Sequence, residues 1–131
     1  MMITREKEAL MVAKMIWRDI KKGTNEAVWQ SWFVTDPCVT LIPWYFDEQH
    51  QPTMELPAIK MTVRGFRFHG NVYVAHDRLI DKFHIFASTP DKGFTHPVSG
   101  EPMARIPKLL DEFINVTGPM EGEKNHCLQV N

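Results

Sequence analysis

At 131 residues, with a formal net charge of -1, 44% apolar and 24% charged residues, the chain has the make-up of one soluble globular domain. That balance excludes extensive disorder, a collagen-like repeat and the strong overall positive field of non-specific nucleic-acid binders. Its longest apolar stretches fall short of the roughly 18 residues a spanning helix needs, so no membrane insertion is expected.

From the N-terminus, Thr4 is placed to cap a helix over residues 5–22. There Ala9, Leu10, Ala13, Ile16, Trp17 and Ile20 recur at three- and four-residue spacing. Gly23 follows two lysines, which suits a helix end. Lys7, Lys14, Arg18 and Lys21 share a face that is either a solvated surface or a basic stripe. A second helix begins after Thr24 or Asn25, carries Val28, Trp29, Trp32 and Phe33, and stops before Asp36-Pro37. Cys38 to Phe46 then reads as a strand that Pro43 confines to an edge or a bulge. A polar loop over 47–53 follows, and residues 55–61 lead extended into the next element.

Residues 61–88 read as three antiparallel strands. Gly70-Asn71 is expected to form a type II′ turn. Counted from it, His69 faces Val72, Phe68 faces Tyr73, Phe66 faces Ala75 and Arg64 faces Asp77. With Ile80-Asp81 at the centre of the second turn, Leu79 faces Lys82, Asp77 faces His84, Ala75 faces Phe86 and Tyr73 faces Ser88. Alternation then sorts the side chains. Val63, Val72, Val74, Phe83, Ile85 and Ala87 fall on one face. Phe66, Phe68, Tyr73 and Phe86 fall on the other, beside a row of Arg64, Asp77 and His84. Since neither face is cleanly polar, both call for cover. If all helices share one side, the four aromatic residues are left exposed.

Residues 88–103 hold three prolines and two glycines and read as a long ordered loop, a candidate functional segment. Pro107, the apolar Leu109, Leu110, Phe113 and Ile114, and Gly118-Pro119 mark a helix over 106–116. The expected fold is therefore α+β. It has an N-terminal helical pair, an antiparallel meander of four or five strands and a C-terminal helix packed on the sheet. Residues 1–118 make one domain, and 119–131 a tail in which residues 126–130 have the make-up of a short added strand.

Several chemistries compete. None of the six histidines stands at the close spacing by which one element presents two zinc ligands, so neither metal nor cofactor is expected. Asp77 opposite His84 suits acid-base work, with His96 as a competing base and Ser88, Thr95 or Ser99 as a nucleophile from the long loop. This would make a small hydrolase. The same Arg64, Asp77 and His84 also make an ordinary polar row of a sheet.

Arg64-Gly65-Phe66-Arg67-Phe68 partly resembles the RNP1 strand of RNA recognition motifs. Arg67 stands where that motif has a small residue, and a turn follows. The resemblance spans five residues and implies single-stranded nucleic-acid binding through Arg64, Phe66 and Phe68, aided by Lys14 and Arg18.

The leading expectation is a protein-binding accessory or inhibitor-like protein that acts by surface occupation, without catalysis. Its partner, or a second copy in a homodimer, would meet Phe66, Phe68, Tyr73, Phe86 and Arg64. Cys38 and Cys127 lie far apart, and no basic, apolar leader opens the sequence. A reducing cytoplasm is the expected location.

Overall fold

The computed structural model describes residues 4–91 and 93–118. Its elements run α1 (Thr4–Lys22), α2 (Glu26–Ser31), β1 (Thr35–Phe46), β2 (Pro52–Arg64), β3 (His69–Asp77), β4 (Lys82–Thr89) and β5 (Gly93–Glu101). A 3₁₀ turn (Met103–Arg105), α3 (Ile106–Asp111) and a π-type segment (Glu112–Thr117) complete it. The five strands form one antiparallel sheet in the order β1-β2-β3-β4-β5. The protein is thus α+β, an antiparallel sheet with helices before and after it. No helix among the described residues is long and apolar enough to cross a membrane.

Helix α1 forms where its apolar spacing demands. Ala9, Ala13, Ile16 and Ile20 are buried on one stripe, Glu6 lies in the first turn, and Lys21 and Lys22 in the last. The Asn25 side chain caps α2 by accepting from the Ala27 and Val28 N–H groups. That helix ends at Ser31, earlier than its aromatic run suggested, because Phe33 turns the chain with a left-handed φ of 50°. All helical cover lies on one sheet face. Ile16, Ile20, Trp32, Ile106, Leu110 and Ile114 pack there on Met61, Val63, Val72, Val74 and Ile85.

Both expected turns move. β2 pairs with β3 through Met61↔Val72, Thr62↔Asn71, Val63↔Gly70 and Arg64↔His69, so the chain reverses at 65–68, not at Gly70-Asn71. The turn is seated on the C-terminal segment. The Arg67 and Phe68 N–H groups both donate to the Ile114 carbonyl, and the Phe66 N–H donates to Asn115 Oδ1 at 2.7 Å. Gly65 allows this approach, since a Cβ there would lie 2.1 Å from Ile114 Cγ2. Gly70 is a strand residue, and its missing side chain makes room for the Ser88 carbonyl, 2.6 Å from where a Cβ would stand.

The second turn spans 78–81, which pairs Tyr73 with Phe86, Ala75 with His84 and Asp77 with Lys82. This is a slip of two residues from the expected register. A slip of two preserves the faces, so Tyr73, Asp77, His84 and Phe86 remain on one side. Residues 88–103, expected as a loop, contain β5, an edge strand where Pro97 is tolerated.

Gly65→Ala should overpack the seat of the 65–68 turn and lower stability by about 1–3 kcal/mol. Urea denaturation would measure it, and an unchanged midpoint would mean that the turn does not rest on Ile114.

Candidate functional site

The face away from the helices is closed by curvature. Strands in a sheet lie about 4.8 Å apart, so β1 and β5 of a flat five-stranded sheet would be separated by roughly 19 Å. Yet the Trp44 ring of β1 meets the His96 ring of β5 with centroids 5.0 Å apart. The edges carry the irregularities that bend them. β5 takes three residues against two of β4 twice, between Phe83 and Ile85 and between Ile85 and Ala87. β1 has a similar shift between Thr35 and Cys38. Bulges of this kind bend a strand and increase its twist.

Beneath Trp44 lies Phe86, 1% exposed, stacked on His96 at 4.4 Å and on Phe94 at 5.3 Å. Ile42, Leu56, Ala58 and Ala75 complete this second core. It is a filled bowl rather than an open aromatic face. Tyr73 lies half-buried at its rim, with its hydroxyl 3.0 Å from Ser88 Oγ.

At one end of the bowl runs a chain of polar groups. Tyr45 of β1 donates its hydroxyl to Asp77 Oδ2 at 2.5 Å. Adjacent residues of a strand normally point to opposite faces, but Tyr45 has φ 54°, which lets it and Trp44 serve the same cluster. His84 Nε2 lies 3.0 Å from the same Asp77 oxygen, and the Leu79 N–H donates to Oδ1 at 3.1 Å.

The tautomer of His84 follows from the other nitrogen. Nδ1 faces the backbone N–H of Gly100 at 3.2 Å, which can only donate, so Nδ1 accepts and Nε2–H donates to Asp77. His96 Nε2, 3.2 Å from the same Nδ1, is then a donor too.

Burial of Asp77 opposes its ionisation. The hydrogen bonds from His84, Tyr45 and the Leu79 N–H outweigh that burial and hold the carboxyl below its ordinary range. The bond to Asp77 raises Tyr45 above its usual value, helped by burial and by the carboxylate's charge. Burial and the neighbouring His84 lower His96, against a hydrogen bond to the Val98 backbone.

Asp77, His84 and His96 are thus brought together, whereas Ser99 is an exposed β5 residue with no bond to them. His84 is not placed to activate a nucleophile among the described residues. Both nitrogens of His84 are engaged internally, and no serine, threonine or cysteine of the described residues hydrogen-bonds to it. Among the described residues, no group of three or more His, Cys, Asp or Glu could hold a metal ion. Cys38 is exposed with a free thiol, and Cys127 lies outside the described residues.

The expected aromatic patch does not form. Phe68, 4% exposed, is on the helical side against Phe113, with ring centroids 4.8 Å apart. Tyr73 and Phe86 belong to the bowl, and Arg64 lies at the end of β2 away from Asp77. Lys14 and Arg18 are exposed on α1. Phe66 alone of the four aromatics projects, 82% exposed.

Its surroundings were not foreseen. The Arg64 N–H donates to the Trp32 carbonyl at 2.8 Å, and Asn115 Nδ2 donates to Ser31 Oγ at 3.0 Å and to Asp111 Oδ1 at 2.8 Å. Asp111 also accepts from the Trp32 indole at 3.0 Å. These bonds gather at one end of the molecule the segments that carry the exposed Phe33, Phe66 and Val116.

The chain matches no protein-family model, no curated protein and no solved structure.

The polar chain sets a pH dependence. Folding holds the His96 pKa below 6.5, so as pH falls from 6.5 to the folded value the unfolded chain binds a proton the folded chain refuses, and stability drops. The depressed Asp77 adds a second loss as pH falls from 3.8 through its own folded value, while Tyr45 costs stability only as pH rises above 10.0. His96→Phe, which keeps an aromatic ring over Phe86, should flatten the upper loss relative to wild type in urea titrations between pH 8 and 5. Parallel profiles for the two proteins would exclude His96 as its source.

Proposed function

We propose that this is a protein-binding accessory or inhibitor-like protein that occupies a partner's surface without catalysis, with Phe66 as its anchor. One observation carries the reading: the most exposed large apolar side chain of the described residues sits on a turn whose backbone N–H groups are tied to the Ile114 carbonyl and the Asn115 side chain. A few residues, aromatic ones among them, carry most of an interface's binding energy, and an anchor already fixed in place avoids part of the ordering cost of association. The exposed Arg64 beside it suits the rim of such a contact, and Phe33 and Val116 extend its apolar surface.

The other readings have less support. Stacking on nucleic acid would use Phe66 and Phe68 together, but Phe68 is in the core. A hydrolase would need a free base, but His84 is spoken for. A homodimer through Tyr73 and Phe86 would have to meet rings that already pack within the bowl.

Affinity capture from the native host with wild type, Phe66→Asp and Leu79→Asp tests the proposal. Leu79 is also an exposed apolar residue, but in the turn beyond the far end of β3. A stoichiometric protein should be retained by wild type and by Leu79→Asp and lost by Phe66→Asp, with affinity reduced about thirtyfold or more. Equal retention by all three would refute the anchor. Light scattering of wild type and Phe66→Asp would show whether the partner is a second copy.

A further inference from the structure

A groove of about 730 Å³ lies between the N-terminal half of α1 and the sheet, far from the Phe66 turn. Of the buried stripe of α1, which runs Ala9, Ala13, Ile16, Ile20, only the small Ala9 lines the groove, and the two isoleucines pack farther along the sheet. The floor is made by Leu41 and Pro57, which pair across β1 and β2, and Val12 forms the helical wall; all three are only half-buried. This volume is within the range of small-molecule sites, which are mostly apolar with a few polar groups that fix orientation.

The charged groups around it are unevenly placed. On the α1 side Arg5 is paired with Glu55 at 2.9 Å, and Glu8 adds a second carboxylate one helical turn from Arg5, leaving that side with an excess of one negative charge. On the β3 side His76 is held by Asp81 at 3.0 Å and rests on the Phe83 ring. Arg78 stands just beyond it, exposed, with no carboxylate partner among the described residues.

We infer that this groove binds a single-chain amphiphile with an acidic head group, its alkyl chain lying on Leu41 and Pro57 beneath α1 and its head held by the Arg78 guanidinium. The apolar floor gains from cover, because half-buried apolar side chains lose their remaining contact with water. Arginine matches a carboxylate or phosphate with two parallel hydrogen bonds. The carboxylates of Glu8 and Glu55 on the opposite side repel an acidic head and so set the direction in which the chain enters.

Calorimetric titration with dodecanoate, dodecanol and dodecylamine, each below its micelle concentration, tests this. Dodecanoate should bind wild type at one site and more tightly than the other two. Arg78→Gln should weaken it about tenfold or more, while Glu8→Gln, which removes a repelling carboxylate, leaves it as tight or tighter. Val12→Trp should block the groove, and if that variant does not fold, Pro57→Trp blocks it from the strand side. No saturable binding, equal affinity for the three head groups or an unaffected Arg78→Gln would overturn the inference. A weakened Glu8→Gln would instead assign the groove to a head group that carries a positive charge. Phe66→Asp should bind dodecanoate as wild type does, so this test fails or succeeds independently of the protein-binding surface.

Discussion

The curvature of the sheet depends on where the buried Asp77 finds its hydrogen-bond donors. An ionised carboxylate in the interior is costly unless its oxygens are satisfied, and the donors come from β1, from the 78–81 turn and from β4. β1 lies two strands from β3. It can reach Asp77 only if the sheet bends inward, and the same bend carries Trp44 over Phe86 to His96. The two edge strands are therefore coupled through one buried charge. The polar chain from Tyr45 to His96 ties the bowl together, with both His84 nitrogens taken up within it.

Helical cover on one face and self-cover on the other leave little of the sheet for a partner. What remains lies at the two ends of β3. At its start, the 65–68 turn is seated on the π-type segment, where the Ile114 carbonyl takes two backbone donors and Asn115 holds a third. At its far end, Arg78 stands beside the groove that Ala9 and Val12 of α1 border. A nine-residue strand spans roughly 26 Å, so the two surfaces are distinct. One is a rigid aromatic projection and the other an apolar recess, and they suit ligands of different kinds.

Local pattern decided several features of this protein by itself. The buried stripe of α1, the Asn25 cap, the edge position of the proline-containing β1 and the final helix follow from spacing and capping chemistry that need no distant partner. So does the shared face of Tyr73, Asp77, His84 and Phe86, because period-two alternation survives a slip of two residues. Asp77 and His84 meet as diagonal neighbours although not directly opposite. Tertiary contact decided the rest. Gly70 reads as a turn residue, but the Ser88 carbonyl of a neighbouring strand is what requires a glycine there. Gly65 sets the true turn only because Ile114, forty-nine residues on, presses against it, and with the turn moved Phe68 leaves the sheet for the core. Trp44 and Tyr45 joined the site through a left-handed φ and a coiled sheet. Neither is encoded in a repeat of side chains, since both arise where the edges of the sheet are drawn toward one buried carboxylate.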